Sequence, residues 1–344
     1  MKHFVCYVVT FCAIFFGGIA VINYSIDPGH VYHAQEYVED IIKGIKNGYN
    51  VEGVTDIDER QYKLRFAELH KGESFEYLAL GSSRIMTVSE DIFHGNSFLN
   101  LSISSCQIEE IIAFYQICKD FNIHYSNVLV TADPSLFNGD YIDDRWKSLW
   151  HYVNEYMGTD VTKRSMIDWD LVRNLFSVSY FKMALKLCKE GKSELKYVKT
   201  VYNEGETFCI DGSFLWSEAV RDATKSVIDE KVQTWHFHFY EDFNAISNER
   251  MALFSKLLED IRNVGINVYI LCSPYHPAFF KKMLKKKGVV EAFDFVESYA
   301  KKNNIPLISS YNPEDEGLTD SDFYDGPHVR KEILDNIIER ELFK

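Results

Sequence analysis

Two short stretches, far apart in the chain, carry residue types that could do chemistry together. Tyr77-Leu78-Ala79-Leu80 is an apolar run of strand length that ends in Gly81-Ser82-Ser83-Arg84. A serine just past the carboxyl end of a parallel strand stands where open α/β sheets bind their ligands. Gly81 lets the backbone bend there and lets a substrate come close. Near the other end stands Asp322-Phe323-Tyr324-Asp325-Gly326-Pro327-His328, with an acid three residues before a histidine and a helical pattern just beyond. In a short loop that spacing lets Asp325 hold Nδ1 of His328, so that the other ring nitrogen faces Ser83. Serine acyl chemistry needs a base for the hydroxyl proton, an acid to orient the base, and donors for the tetrahedral oxyanion.

The elements that must position these residues follow from the hydrophobic pattern. Phe75 to Leu80 reads as a buried strand, Ser97 to Ser102 as a second and Asn127 to Ala132 as a third. Ile266 to Cys272 is a fourth and Pro306 to Ser309 a short fifth. Helical patterns lie over Gln107 to Phe121, Ser247 to Asn263 and Lys331 to Leu342. Strands alternating with helices predict an α/β fold with a mostly parallel five-stranded sheet covered on both faces. The connection between strands three and four is far longer than a crossover needs, so 135 to 245 reads as a partly helical insertion over the sheet's active edge. Asp211-Gly212 is a turn within it.

Phe4 to Ile22 is an almost continuous apolar run of membrane-spanning length. Lys2 and His3 precede it, and no Lys or Arg follows before Lys43. That asymmetry puts the N-terminus in the cytoplasm and the rest outside. The expected organisation is an anchor over 1–24, a helical membrane-proximal linker over 25–74 and a catalytic α/β domain over 75–344. A cleaved signal peptide is the rival to the anchor, but its apolar region would normally be shorter.

A net charge of −14 argues against a nucleic-acid partner, which needs clustered Lys and Arg. The seven cysteines show no zinc spacing. Outside the cytoplasm a Cys188–Cys209 disulfide is open to the chain, though nothing in the sequence requires it. His236 and His238 alternate as on a strand without a matching carboxylate or cysteine, so no metal and no cofactor is expected.

The order of these motifs resembles the SGNH (GDSL-type) hydrolase superfamily. It is similar, more narrowly, to the membrane-anchored members related to alginate O-acetylation proteins and to the teichoic-acid D-alanylation protein DltD. Asn23-Tyr24-Ser25-Ile26-Asp27-Pro28, Gly81-Ser82-Ser83-Arg84, the Asn100-Leu101-Ser102 segment, Pro274-Tyr275-His276-Pro277 and the Asp325–His328 loop carry the resemblance. It covers the sheet and the anchor, not the insertion.

The resemblance implies a three-layer flavodoxin-like sandwich, with Ser83 as nucleophile, His328 as base and Asp325 as acid. The backbone N–H of Ser83 and of Ser105, which stands at a glycine position of the family, would be oxyanion donors. Asp133 stands where the family has a third donor, an asparagine. A carboxylate there would repel an oxyanion unless it turns away, for example toward Arg84. On that reading Asp133→Asn would raise turnover. Asn100 and His276 are further candidates for the pocket.

The implied function is transfer or removal of a small acyl group, acetyl above all, on a cell-surface polysaccharide through an acyl-serine intermediate. A membrane-bound O-acyltransferase partner would supply the acyl group. The alternative is a non-catalytic polysaccharide-binding or accessory subunit of an export or modification complex.

Overall fold

A computed structural model describes residues 2–141, 143–159, 169–190, 195–200, 204–234 and 239–344. Along the chain run α1 (Lys2–Ile26), α2 (Ala34–Lys46), β1 (Asn50–Glu52), α3 (Glu59–Leu69), β2 (Ser74–Leu80), β3 (Phe98–Asn100), α4 (Ile108–Asp120) and β4 (His124–Thr131). There follow α5 (Trp150–Met157), α6 (Trp169–Leu175), α7 (Val178–Glu190), β5 (Lys196–Val198), β6 (Thr207–Phe208), β7 (Phe214–Leu215), α8 (Glu218–Arg221) and α9 (Lys225–Thr234). The chain closes with α10 (Asn248–Asn263), β8 (Asn267–Leu271), α11 (Pro277–Met283), α12 (Lys287–Asn303), β9 (Leu307–Ile308) and α13 (Lys331–Leu342).

The main sheet is all parallel, with strand order β3-β2-β4-β8-β9. Its strands are buried on both faces, which is why each reads as a nearly unbroken apolar run. Alternate side chains feed two separate clusters. Leu78, Leu80, Val128, Val130 and Ile270 pack with Phe114, Leu257 and Val296 from α4, α10 and α12. Ala79, Leu129 and Leu271 pack with Leu334 and Ile338 from α13. The protein is therefore a three-layer α/β sandwich. Counted by sequence, the strand order is 2-1-3-4-5, which puts the switch point between β2 and β4.

Residues 25–74 are more than a helical linker. Between α2 and α3 runs β1, the second strand of a small antiparallel sheet with order β5-β1-β6-β7. Its partners all come from the insertion. The two segments share one hydrophobic core with the main sheet: Ile41 and Val51 belong to the cluster that holds Leu78 and Val130.

Lys63 and Gly212 fasten the insertion to the main sheet. The fully buried Lys63 Nζ donates to the carbonyls of Asn100, at the end of β3, and of Gly212, in the β6–β7 turn. Gly212 has φ +82°, and a Cβ on it would fall well inside contact distance of the Asn100 carbonyl.

Helix α1 is long and apolar enough to cross a membrane. Residues 3–18 are exposed throughout, whereas Ile19 and Asn23 are buried against α6 and α7. The apolar run from Phe4 to Ile22 is thus partly covered at its last turn.

Candidate active site

The C-terminal ends of β2 and β4 open onto a cavity of about 110 Å³. Gly81, at φ +140°, begins the turn after β2, and a Cβ there would collide with the Thr131 side chain on the neighbouring strand. The Thr131 hydroxyl accepts the Ser82 N–H at 3.0 Å, and the Ser82 hydroxyl accepts the Arg84 N–H at 3.2 Å. These two bonds fix the turn that presents Ser83, whose side chain is half-buried.

Ser83 Oγ lies 2.8 Å from His328 Nε2. On the far side of the ring, Nδ1 is 2.9 Å from both carboxylate oxygens of Asp325, and Asp325 Oδ1 also accepts the His328 backbone N–H at 3.0 Å. The carboxylate holds the hydrogen on Nδ1. Nε2 is left as the acceptor for the Ser83 hydroxyl. The Phe323–Val329 bridge closes the loop that brings acid and base together just before α13. The Trp216 ring, carried in from the insertion, packs on the imidazole with centroids 5.3 Å apart.

The backbone N–H groups of Ser83 and Ser105, both at the cavity, have no protein acceptor among the described residues. Ser105 has φ +50°, a region that glycine enters freely and serine seldom. The conformation is imposed by α3. Glu59 accepts the Ser104 N–H, and Arg60 donates to the Ser104 carbonyl at 3.1 Å while pairing with buried Glu110 of α4 at 2.6 Å. The segment expected to be a linker thus shapes the cavity wall.

Arg84 is buried in the cavity wall and ties the surrounding loops together. It donates to Asp133 at 2.8 Å, to Pro327 O at 3.2 Å, to Pro274 O at 3.0 Å and to Ser273 O. Its guanidinium lies 3.6 Å from the centre of the Tyr275 ring. Burial opposes its charge, but Tyr275 and Asp133 outweigh that and raise its pKa above the ordinary value. Asp133 is therefore the counter-ion of a buried cation. Burial pushes Tyr240, at the same end of the cavity, up to about 12, so its hydroxyl stays a donor and lies 3.2 Å from that of Tyr275.

Two expected pocket residues stand elsewhere. The Asn100 amide is fully engaged, donating to the carbonyls of Ile85 and Val88 at 3.0 Å each and accepting from Ser102. It braces the segment after the Ser83 turn and does not line the cavity. His276 is buried behind the Asp325–His328 loop, where it caps α11 by accepting the Ala278 N–H on Nδ1 at 3.2 Å. Burial holds its pKa below the ordinary value.

With Asp229 and Asp320, His276 also makes the one potential metal cluster among the described residues. The hydrogen is on Nε2, the nitrogen that faces the carboxylates, so no lone pair is offered. The Lys225 ammonium already sits 3.1 Å from Asp229 and 3.0 Å from Asp320. His236 and His238 lie outside the described residues. Cys188 and Cys209 are not bonded to each other, the first exposed and the second buried.

Sequence reasoning passed over Trp216, Tyr240 and Tyr275. Tyr275 stood beside the histidine that drew attention, and no spacing marked the other two. No protein-family model matches the chain, and no curated protein matches it.

Proposed function

We propose that the protein is a membrane-anchored serine acyltransferase or esterase of SGNH type, with Ser83 as nucleophile, His328 as base and Asp325 as its orienting acid. The observation that carries the reading is the unbroken hydrogen-bonded line from Ser83 Oγ through the His328 ring to Asp325, beside two unpaired backbone N–H groups. As an acyl ester enters, Ser83 Oγ attacks its carbonyl carbon and passes its proton to His328 Nε2. The oxyanion takes hydrogen bonds from the N–H of Ser83 and of Ser105. His328 returns the proton to the leaving alcohol, leaving acyl-Ser83. A second hydroxyl, from a sugar or from water, then gives its proton to the same nitrogen and attacks the acyl carbon; the bond to Ser83 Oγ breaks, and His328 returns that proton to the serine oxygen.

The cavity limits the acyl group. It is a small cavity of about 110 Å³, walled by Ser82, Ser105, Cys106, Tyr240 and His328 around Ser83. An acetyl or similarly short group fits that space. The polysaccharide acceptor, the extracytoplasmic placement and a membrane-bound O-acyltransferase partner rest on the resemblance of the motifs. The apolar helix α1 supports the membrane setting.

The test uses the full chain in nanodiscs. A fluorophosphonate should label Ser83, and p-nitrophenyl acetate should be hydrolysed. Ser83→Ala should abolish both, with a fall in turnover on the order of 10⁶-fold if the three residues act as a unit. Labelling that survives in Ser83→Ala sinks the nucleophile assignment. A folded wild type that neither labels nor turns over favours the accessory-subunit alternative.

A further inference from the structure

Besides α1, the hairpin α6–α7 bears an apolar surface with no protein cover among the described residues. Val172, Phe176, Val178, Met183 and Leu185 are exposed. The inner face of α7 is used: Ala184 is fully buried, and the Tyr180 hydroxyl donates to Asp27 at 2.6 Å. Lys182, Lys186 and Lys189 follow at i, i+4 and i+7 along the exposed part of the helix, in a protein of net charge −14. At about 3.6 residues per turn the three lysines run down the middle of the exposed side of α7, with Met183 on one flank and Val178 and Leu185 on the other. Exposed apolar side chains interleaved with lysine stems suit a helix lying at an anionic lipid surface, its ammonium groups reaching the headgroups.

The hairpin is welded to the end of α1. The Asn23 amide donates to the carbonyls of Asn174, Leu175 and Ser177, all at 3.0 Å. Asp27 accepts the backbone N–H groups of Val31, Tyr32 and His33, and the Tyr32 hydroxyl donates to Leu171 O at 2.9 Å. Wherever α1 leaves the bilayer, α6 and α7 must be beside it.

Length sets the depth. The uncovered residues 3–18 span about 24 Å at about 1.5 Å per residue, against a hydrocarbon core of about 30 Å. The hydrocarbon core thus has room for the next turn of α1, from Ile19 on, and that is the turn on which α6 and α7 pack. We infer that the α6–α7 hairpin seats in the headgroup and upper acyl layer of an anionic membrane. It would fix the height and tilt of the catalytic domain over the surface. The inference rests on the reading of α1 as a membrane span.

Depth-dependent fluorescence tests it in the full chain, with Cys6, Cys12 and Cys188 replaced by serine. An environment-sensitive NBD probe is attached to Met183→Cys in one sample and to Val9→Cys in another, both in nanodiscs of phosphatidylcholine and phosphatidylglycerol. The expected result is blue-shifted emission at both sites and quenching by nitroxide-bearing lipid but not by iodide. In pure phosphatidylcholine the quenching at Met183→Cys should weaken while that at Val9→Cys holds. A probe at Met183→Cys that iodide quenches and lipid nitroxide does not, with Val9→Cys still lipid-quenched, overturns the inference and leaves the anchor standing. A Met183→Cys probe shielded from both quenchers overturns it in favour of a protein cover. No lipid quenching at Val9→Cys overturns the span and the inference together.

Discussion

Asp133 illustrates how a single residue's meaning depends on its partner. Set against an asparagine in the resembling family, it looked like a lost oxyanion donor whose replacement by asparagine would help. Its carboxylate instead faces Arg84, whose other contacts are neutral carbonyls and a tyrosine ring. Asp133→Asn leaves the guanidinium buried without a counter-charge. Removing one partner of a buried pair costs about 3–5 kcal/mol, and the retained amide oxygen argues for the lower end. The melting temperature should fall by about 4 °C for a chain of this size, and ester turnover should fall with it because Arg84 holds the loops of Ser83 and His328. A faster, equally stable variant would show that the pair is dispensable. Ser83, Asp325 and His328 were legible because each stands at a strand end or a pre-helix turn, where sequence pattern is strong. The turn of Asp133 toward Arg84 was legible too, but the bonds from Arg84 to Ser273, Pro274 and Pro327 were not, because they go to backbone carbonyls that any residue supplies.

At the scale of elements, the five parallel strands were readable because burial on both faces makes them apolar runs. The antiparallel sheet was not. Its strands are two or three residues long, and β1 meets partners about 150 positions away. Lys63, between the two sheets, gives a test of how tightly they join. Burial lowers its pKa to about 7, whereas in the unfolded chain it lies near 10.4. Between these values the unfolded state binds more protons, so stability from this group rises with pH, by at most about 1.4 kcal/mol per unit. Below pH 7 the full penalty of the buried charge remains. Wild type should therefore gain about 1–3 kcal/mol on Lys63→Met between pH 7 and pH 9, read from paired melting curves. A constant gap would mean that water reaches the amine and the sheets are not sealed there.

For the molecule as a whole, the boundary between anchor and domain falls inside α1. Removing residues 2–18 should leave a domain that melts as the full chain does, since residues 3–18 are exposed throughout. Removing residues 2–30 takes Asn23 and Asp27 as well and should free α6 and α7 to limited proteolysis. Equal protease resistance in the two would place the boundary later. The same weld has a consequence in time. The acceptors of the Asn23 amide lie 151 to 154 residues further along, so at about 5–20 residues per second they are made roughly 8–30 s after it. Through that interval the nascent chain holds an apolar helix whose polar end has no partner, and the insertion, arriving late, latches it.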